Sequence, residues 1–471
     1  MIFLNYNSYK IWSINNKFFM FDILNLINVE IDENLFNIFT SKQWDRADKD
    51  TINYLQKLCD KELFFYDIED IQFLDNIEEK EMSFSLTPTL ECNLDCKYCF
   101  ADAGRKYTGK NRKYDQNMLE NIARYLVEKH PNIRKYRLSF VSGGEPFLDK
   151  KGLLDMIRFF HSFFKKEGMS FTMWLCTNGT LIDEEDIKAL DKYNMQIGIS
   201  QDGTKIEHDK CRVDKHGQGT YDIVARHINS ILKSHELSER IRKIWGSAVI
   251  TSTNKSVLSI LLEHKKLGLA NSQMRFIQTS KEDSLAFKEK DLPTVHSWID
   301  ELIDFLEKEI LEDRLMYPLM MLNENDYIGK IIRRLIIQKP YVKRCHAGNL
   351  HLAFTPEGDI YPCDSFVGNT EFKLGNVLIG DSNTFPNYSV LERHDCKDCW
   401  IRFVCGGDCY YNAYSCNYDI QMPDNIFCKI MHYVVKKSLL MLNNIQKENP
   451  KIYLELRRIL TLKDSVNYKV K

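Results

Sequence analysis

The sequence predicts an α/β protein built on a parallel sheet, curled into a partial (β/α)6 barrel or left open, with a small α+β unit ahead of it and a cysteine-rich region behind it. Three observations carry this. Between residues 83 and 282 six strand-like segments alternate with amphipathic helical ones, the pattern of a parallel sheet whose functional groups gather at the C-terminal strand ends. Residues 1–82 hold short alternating segments, and eight of the fourteen cysteines fall between Cys345 and Cys428.

In 17-KFFMFDI-23 the residues Phe19, Phe21 and Ile23 share one face of a strand, and 50-DTINYLQKLCDKELF-64 has helical spacing. The six strands of the main sheet are expected in 83–90, 136–142, 171–177, 195–200, 246–251 and 273–278, with helices such as 116–129 and 254–268 between them. Residues 283–340 read as a helical connection. The cysteine-rich region spans 341–445 and ends in a helix near 429–445, and 446–471 form a helical tail.

A chain of 471 residues with 44% hydrophobic content can bury two or three domain cores. A net charge of -2 argues against broad attraction to nucleic acid or an anionic membrane. No run approaches eighteen apolar residues, and the N-terminus, interrupted by Lys10, Lys17 and Asp22, lacks the plan of a signal peptide. The expected compartment is the cytoplasm. There, closely spaced cysteines point to metal ligation or redox chemistry rather than disulfides.

The first strand runs into 92-CNLDCKYC-99, where Cys92, Cys96 and Cys99 have a C-x3-C-x2-C spacing. Three thiolates on one loop can hold three irons of a 4Fe-4S cube and leave the fourth iron open. A structural zinc site needs a fourth protein ligand, and no other cysteine or histidine is near in sequence. Later strand ends carry 143-GGEP-146, 176-CTNGT-180 and 200-SQDG-203, and Arg212 follows in 207-EHDKCRVDKHGQGTYD-222.

Taken in this order, the motifs resemble the radical S-adenosylmethionine (SAM) enzymes. The resemblance implies that the open iron chelates the amino and carboxylate groups of SAM and that one electron cleaves SAM to a 5'-deoxyadenosyl radical. It places Phe100 directly after the last ligand. It puts Gly143, Gly144 and Glu145 at the SAM amino group, where glycines let the backbone close in and a carboxylate meets an ammonium. Asn178 and Ser200 are implied at SAM's polar groups, and Arg212 at its carboxylate.

The C-terminal cysteines resemble the seven-cysteine pattern of the SPASM domain. The resemblance assigns Cys396, Cys399, Cys405 and Cys428 to an outer auxiliary 4Fe-4S cluster, and Cys345, Cys363 and Cys409 to an inner one nearer the substrate, making three clusters in all. A zinc ribbon could claim the C-x2-C-x5-C-x3-C portion alone. Cys59, Cys176, Cys211 and Cys416 are expected to be structural.

The stretches 97–110 and 352–377 look like the maturases that install thioether crosslinks in ribosomally made, cysteine-rich peptides. In those enzymes a small N-terminal module takes the precursor's leader as an added strand, the role expected for residues 1–82. The implied partners are such a precursor peptide and an electron donor such as flavodoxin or ferredoxin. A second similar branch, the anaerobic sulfatase-maturating enzymes, oxidises cysteine or serine to formylglycine. Asp364 directly follows Cys363, where that branch keeps a catalytic acid, whereas His351 stands where it has a fourth inner-cluster cysteine. Asp364 is thus the expected catalytic residue. Carbon-carbon crosslinking stays open, as does a simple iron-sulfur electron carrier, which would leave the Gly143–Glu145, Asn178, Ser200 and Arg212 set without a role.

Overall fold

The computed structural model describes residues 8–43, 47–61, 63–64, 81–141, 143–233 and 244–467; for Cys59 and residues 463–467 only the backbone is described. Parts of the expected N-terminal unit (1–7 and 65–80) and of the C-terminal tail (468–471) lie outside the described residues.

Six parallel strands form the centre: β4 (Glu81–Leu86), β5 (Lys135–Phe140), β6 (Ser170–Thr177), β7 (Gln196–Ser200), β8 (Ile244–Ile250) and β9 (Asn271–Phe276), paired in that order. Helices cover them. Helix Lys150–Lys166 starts where Asp149 caps the Gly152 N–H at 3.0 Å, and its Leu153, Met156, Ile157, Phe160 and Phe164 repeat at helical spacing into the core. Phe84 of β4 meets Phe160 edge-to-face at 5.3 Å. The sequence places the first strand at 83–90, but the strand ends at Leu86. Pro88 has no N–H to give the ladder, so the chain leaves the sheet there and turns into the cysteine loop.

The cysteine-rich region extends this same sheet, which sequence periodicity does not reveal. Strand β10 (His351–Phe354) pairs in parallel with β4, His351 opposite Ser83. The short strands β11 (Asp359–Tyr361), β12 (Gly375–Asn376) and β13 (Gly380–Asp381) continue it antiparallel, giving ten strands among the described residues.

At the N-terminus, β1 (Tyr9–Ile14), β2 (Lys17–Asp22) and β3 (Asn28–Ile31) form an antiparallel meander. Phe19, Phe21 and Ile23 face one way, as the alternation predicts. They join the core that contains Met431, Val434 and Val435 of helix Asn425–Glu448. Met20 faces the other way, toward Leu35, Phe39 and Leu55. The helix Lys49–Cys59 stops short of the expected 50–64. At the rim, Lys447 pairs with Glu30 at 2.6 Å and Asn443 donates to the same carboxylate at 3.1 Å.

His264, fully buried in helix Leu258–Lys266, pins the far side of the sheet. Its Nε2 donates to the Gln201 carbonyl at the end of β7 (2.8 Å), so its Nδ1 accepts from Ser272 Oγ on β9 (2.8 Å). The ring fills the space over Gly246 of β8, where a Cβ would stand 2.5 Å from it. Burial pushes its pKa down to about 4. Because the unfolded imidazole binds a proton more tightly, this group's contribution is complete above pH 6.5 and is lost as pH falls toward 4, about 3 kcal/mol in all. His264→Gln is expected to be less stable than wild type at pH 7.5 and to lack that part of the acid sensitivity, read from urea unfolding at pH 7.5 and 5.

Candidate active site

The loop after β4 is held by the chain that follows helix Lys205–Cys211. Asp95 N–H donates to Val213 O (2.8 Å) and Lys97 N–H to Cys211 O (3.0 Å). Backbone donors also reach the thiols: Leu94 N–H lies 3.5 Å from Cys92 Sγ and Ala103 N–H 3.4 Å from Cys99 Sγ. Asp102, Ala103 and Gly104 turn the chain back with successive φ values of 48°, 50° and 86°. Only glycine fits the last position, since a Cβ on Gly104 would lie 1.5 Å from Leu90 O.

Burial raises the Cys92 thiol and pushes Cys96 up to about 12, with Arg212 opposing and the neighbouring thiols reinforcing the shift at Cys96. Thiols so dry stay protonated until a metal takes over the charge. Among the described residues no three His, Cys, Asp or Glu side chains converge as ligands of one ion. In a 4Fe-4S cube each thiolate binds its own iron, so the sulfurs stand around the cube rather than around one centre.

The 143–146 turn packs against this loop. Glu145 N–H donates to Glu91 O (2.9 Å), and a Cβ on Gly144 would come within 2.3 Å of Thr89 O. The buried Glu145 carboxylate accepts from Thr177 Oγ1 (2.6 Å), Asn178 N–H (2.7 Å) and Phe147 N–H (3.1 Å). Burial raises its pKa even so. Three of its roughly four acceptor positions are thereby used within the protein. Asn178 is also engaged internally: its Nδ2 donates to Asn93 Oδ1 at 2.8 Å and lies 3.9 Å from Cys92 Sγ. That amide ties the end of β6 to the cysteine loop. Ser200 Oγ sits 3.5 Å from Cys176 Sγ. Phe100 reaches out of the loop to meet Tyr411 of the C-terminal region edge-on at 6.4 Å.

Arg212 is buried at the centre of a network that sequence reasoning did not assemble. Its Nη1 donates to Tyr98 OH (2.6 Å), which donates to Asp202, and Asp202 Oδ1 accepts from Val249 N–H (3.1 Å). Asp202 N–H in turn donates to His208 Nδ1 (3.3 Å), so His208 Nε2 donates to Thr220 Oγ1 (3.0 Å), which donates to Arg212 O (3.0 Å). The signal was present in Tyr98, between two of the cysteines, and in Asp202 of 200-SQDG-203. Tyr98→Phe leaves the buried Arg212 and Asp202 each short of a partner. It is expected to cost about 1–3 kcal/mol in thermal unfolding, whereas Tyr411→Phe, on the other side of the loop, is expected to cost under about 0.5 kcal/mol.

In the C-terminal region the seven cysteines gather in two groups. Cys363 is surrounded by Cys409 and Cys345, and Cys428 by Cys405, Cys396 and Cys399; burial raises both thiols and like-charge neighbours add to it. Burial also lifts Cys345 and Cys396 to about 11. Buried cations lie beside them. Arg393 Nη2 donates to Ile420 O (2.9 Å) while its Nε has no partner, and Arg344 covers the Tyr327 ring at 4.6 Å with neither Nη hydrogen-bonded. Arg212 Nε is likewise unpartnered. Buried guanidinium N–H groups without acceptors are costly unless an anion faces them. Iron-sulfur clusters with cysteinate ligands are such anions, and the donor sets fit them.

His351 and Asp364 face each other beside the inner group. His351 Nδ1 is 2.7 Å from Ser83 Oγ on β4 and its Nε2 is 3.5 Å from Asp364 Oδ1. The Cys416 thiol donates to Thr279 O at 3.3 Å, and Cys211 is buried.

Residues 86–235 match the radical SAM superfamily. The cysteine-type anaerobic sulfatase-maturating enzyme of Clostridium novyi is 27% identical over 398 residues, covering 78% of this chain and 98% of that protein. The serine-type enzyme of Klebsiella aerogenes is 22% identical over 330 residues, covering 68% of this chain and 76% of that protein. The solved structure of native anSMEcpe with bound AdoMet and Cp18Cys peptide superposes with a TM-score of 0.60 at 20% identity, covering 78% of this chain and 99% of that one, and so shares its fold. The strand ends that bring Cys92, Glu145, Asn178 and Arg212 together lie inside the matched span, and by that match the chain carries a radical SAM domain.

Proposed function

We propose that this enzyme oxidises a cysteine within a peptide and joins its sulfur to a carbon as a thioether. The Cys92, Cys96 and Cys99 loop holds the SAM-cleaving 4Fe-4S cluster. Gly143, Gly144, Glu145, Asn178, Ser200 and Arg212 form the SAM pocket, Phe100 closes its outer side, and the two C-terminal thiol groups hold auxiliary 4Fe-4S clusters. When bound, SAM and the clusters supply a 5'-deoxyadenosyl radical that takes a hydrogen atom from carbon, and an acceptor for the electron left when the S–H proton has also departed.

The protein's own part is positioning and proton handling. Asp364, half-buried next to Cys363, accepts the substrate thiol's proton, and His351 steadies it from β10. The observation that carries this reading is that the inner group brings three thiols together while His351 and Cys416, two of the side chains that could complete it, are engaged elsewhere. His351 is held between Ser83 and Asp364, and Cys416 donates to Thr279. On this reading a substrate sulfur takes the remaining place at that group. Support for a peptide comes from relatives named as sulfatase-maturating enzymes and from a fold neighbour solved with a peptide. About a fifth of this chain has no counterpart in the Clostridium novyi relative. Residues 1–82 are proposed to belong to that excess and to recognise a leader segment of the peptide.

The similarity to sulfatase-maturating enzymes, together with Asp364 after Cys363, favours formylglycine formation as a second reading. Both make the same first demands on the protein and differ in the fate of sulfur. The test uses anaerobically reconstituted protein, dithionite, SAM and a cysteine-containing peptide. About twelve irons per chain are expected, with 5'-deoxyadenosine released and the peptide lighter by two hydrogens with its sulfur retained. An aldehyde with loss of sulfur would select the second reading. Asp364→Asn is expected to slow peptide oxidation by about 10²–10⁴-fold while SAM cleavage without peptide stays near wild type. Serine at Cys92, Cys96 and Cys99 together is expected to remove about four irons and all SAM cleavage.

A further inference from the structure

One imidazole stands against the outer thiol group with both ring nitrogens engaged. His432 lies one turn after Cys428 on helix Asn425–Glu448. Its Nε2 is 3.2 Å from Cys399 Sγ and its Nδ1 is 3.1 Å from Trp400 Nε1. An indole nitrogen can only donate, so His432 Nδ1 must accept, and the single proton of the neutral ring resides on Nε2. That proton points at the cysteine sulfur. The same constraint rules His432 out as an iron ligand through Nε2, because a protonated ring nitrogen has no lone pair to give.

Trp400 is itself held in place. It meets His432 edge-on, with ring centres 5.6 Å apart at 87°, and Phe21 of β2 edge-on, with centres 5.7 Å apart at 84°. Phe21 is fully buried. An unbroken line of contacts therefore runs from the middle strand of the N-terminal sheet through an indole and an imidazole to a thiol of the outer group.

We propose that His432 is a positioning residue of the outer auxiliary centre: fixed by Trp400 in its Nε2–H form, it donates to the Cys399 sulfur, and the seat of Trp400 on Phe21 makes β2 part of that support. This rests on the reading that Cys396, Cys399, Cys405 and Cys428 hold a 4Fe-4S cluster. A hydrogen bond to a ligating thiolate withdraws charge from the cluster and favours its reduced form, raising its potential.

The experiment is an electron paramagnetic resonance redox titration of the full, reconstituted chain. His432→Leu is expected to keep wild-type iron content and to make reduction of one auxiliary cluster about tenfold less favourable, about 59 mV for one electron. His432→Gln, whose amide can still donate, is expected to recover most of that shift. Trp400→Phe keeps a ring on Phe21 but frees the imidazole, and is expected to fall between. An unmoved potential in an iron-replete His432→Leu would overturn the inference, as would loss of about four irons from both histidine variants, which would make the ring a ligand or a folding element. Wild-type protein lacking auxiliary iron would instead sink the reading on which this rests, before any variant is made.

Discussion

Everything here depends on the dryness of three groups of thiols. A cysteine sealed from water resists ionisation, and the protein seals Cys92, Cys96, Cys345, Cys363, Cys396, Cys409 and Cys428 strongly enough to raise each of them. A neutral thiol buries readily, but one that must ionise there needs a metal to take the proton's place. The arginines carry the complementary strain. Arg212, Arg344 and Arg393 keep unpartnered N–H groups in the interior beside those thiols. Unpartnered buried cations beside dry thiols suit a negatively charged inorganic body.

The sheet sets the placement of those thiol groups. Parallel pairing of β10 with β4 lays the inner thiol group alongside the strand whose exit loop carries Cys92, Cys96 and Cys99. His351 belongs to the first of these strands and Ser83 to the second, so their 2.7 Å contact fastens the two halves of the chemistry across one ladder. Phe100 against Tyr411 makes a second bridge. The loop of Cys92, Cys96 and Cys99 and the inner thiol group are thus carried by adjacent strands of one sheet.

How much of this the sequence disclosed follows from range. The six parallel strands were legible because each is a local run with a helix after it, and Phe19, Phe21 and Ile23 could be placed on one face from their alternation alone. The apolar run 83–90 overstates the first strand because Pro88 interrupts the ladder inside it. The thiol groupings were legible as spacing, and the structure brings the same residues together. What stayed hidden was pairing over long separations. Nothing near His351 announces Ser83 as a neighbour, and four residues of strand are too few for periodicity to register. Tyr98, Asp202 and His208 escaped for a different reason: their importance lies in one another, and a hydrogen-bond chain that closes through three loops leaves no mark on any one of them. Glu145 and Asn178 were singled out for an external ligand, yet the structure also spends most of their capacity on holding the loops around it.

The packing of β2 against the last long helix has a consequence for how the chain is made. Phe21 leaves the ribosome about four hundred residues ahead of its companions Trp400 and Met431. At ordinary elongation speeds that is a wait of roughly 20–80 s. During that interval a meander with Phe19, Phe21 and Ile23 on one face has no native cover. Closure of this core is thus a late event that joins segments far apart in sequence, and the apolar face of the meander waits for helix Asn425–Glu448 to be made.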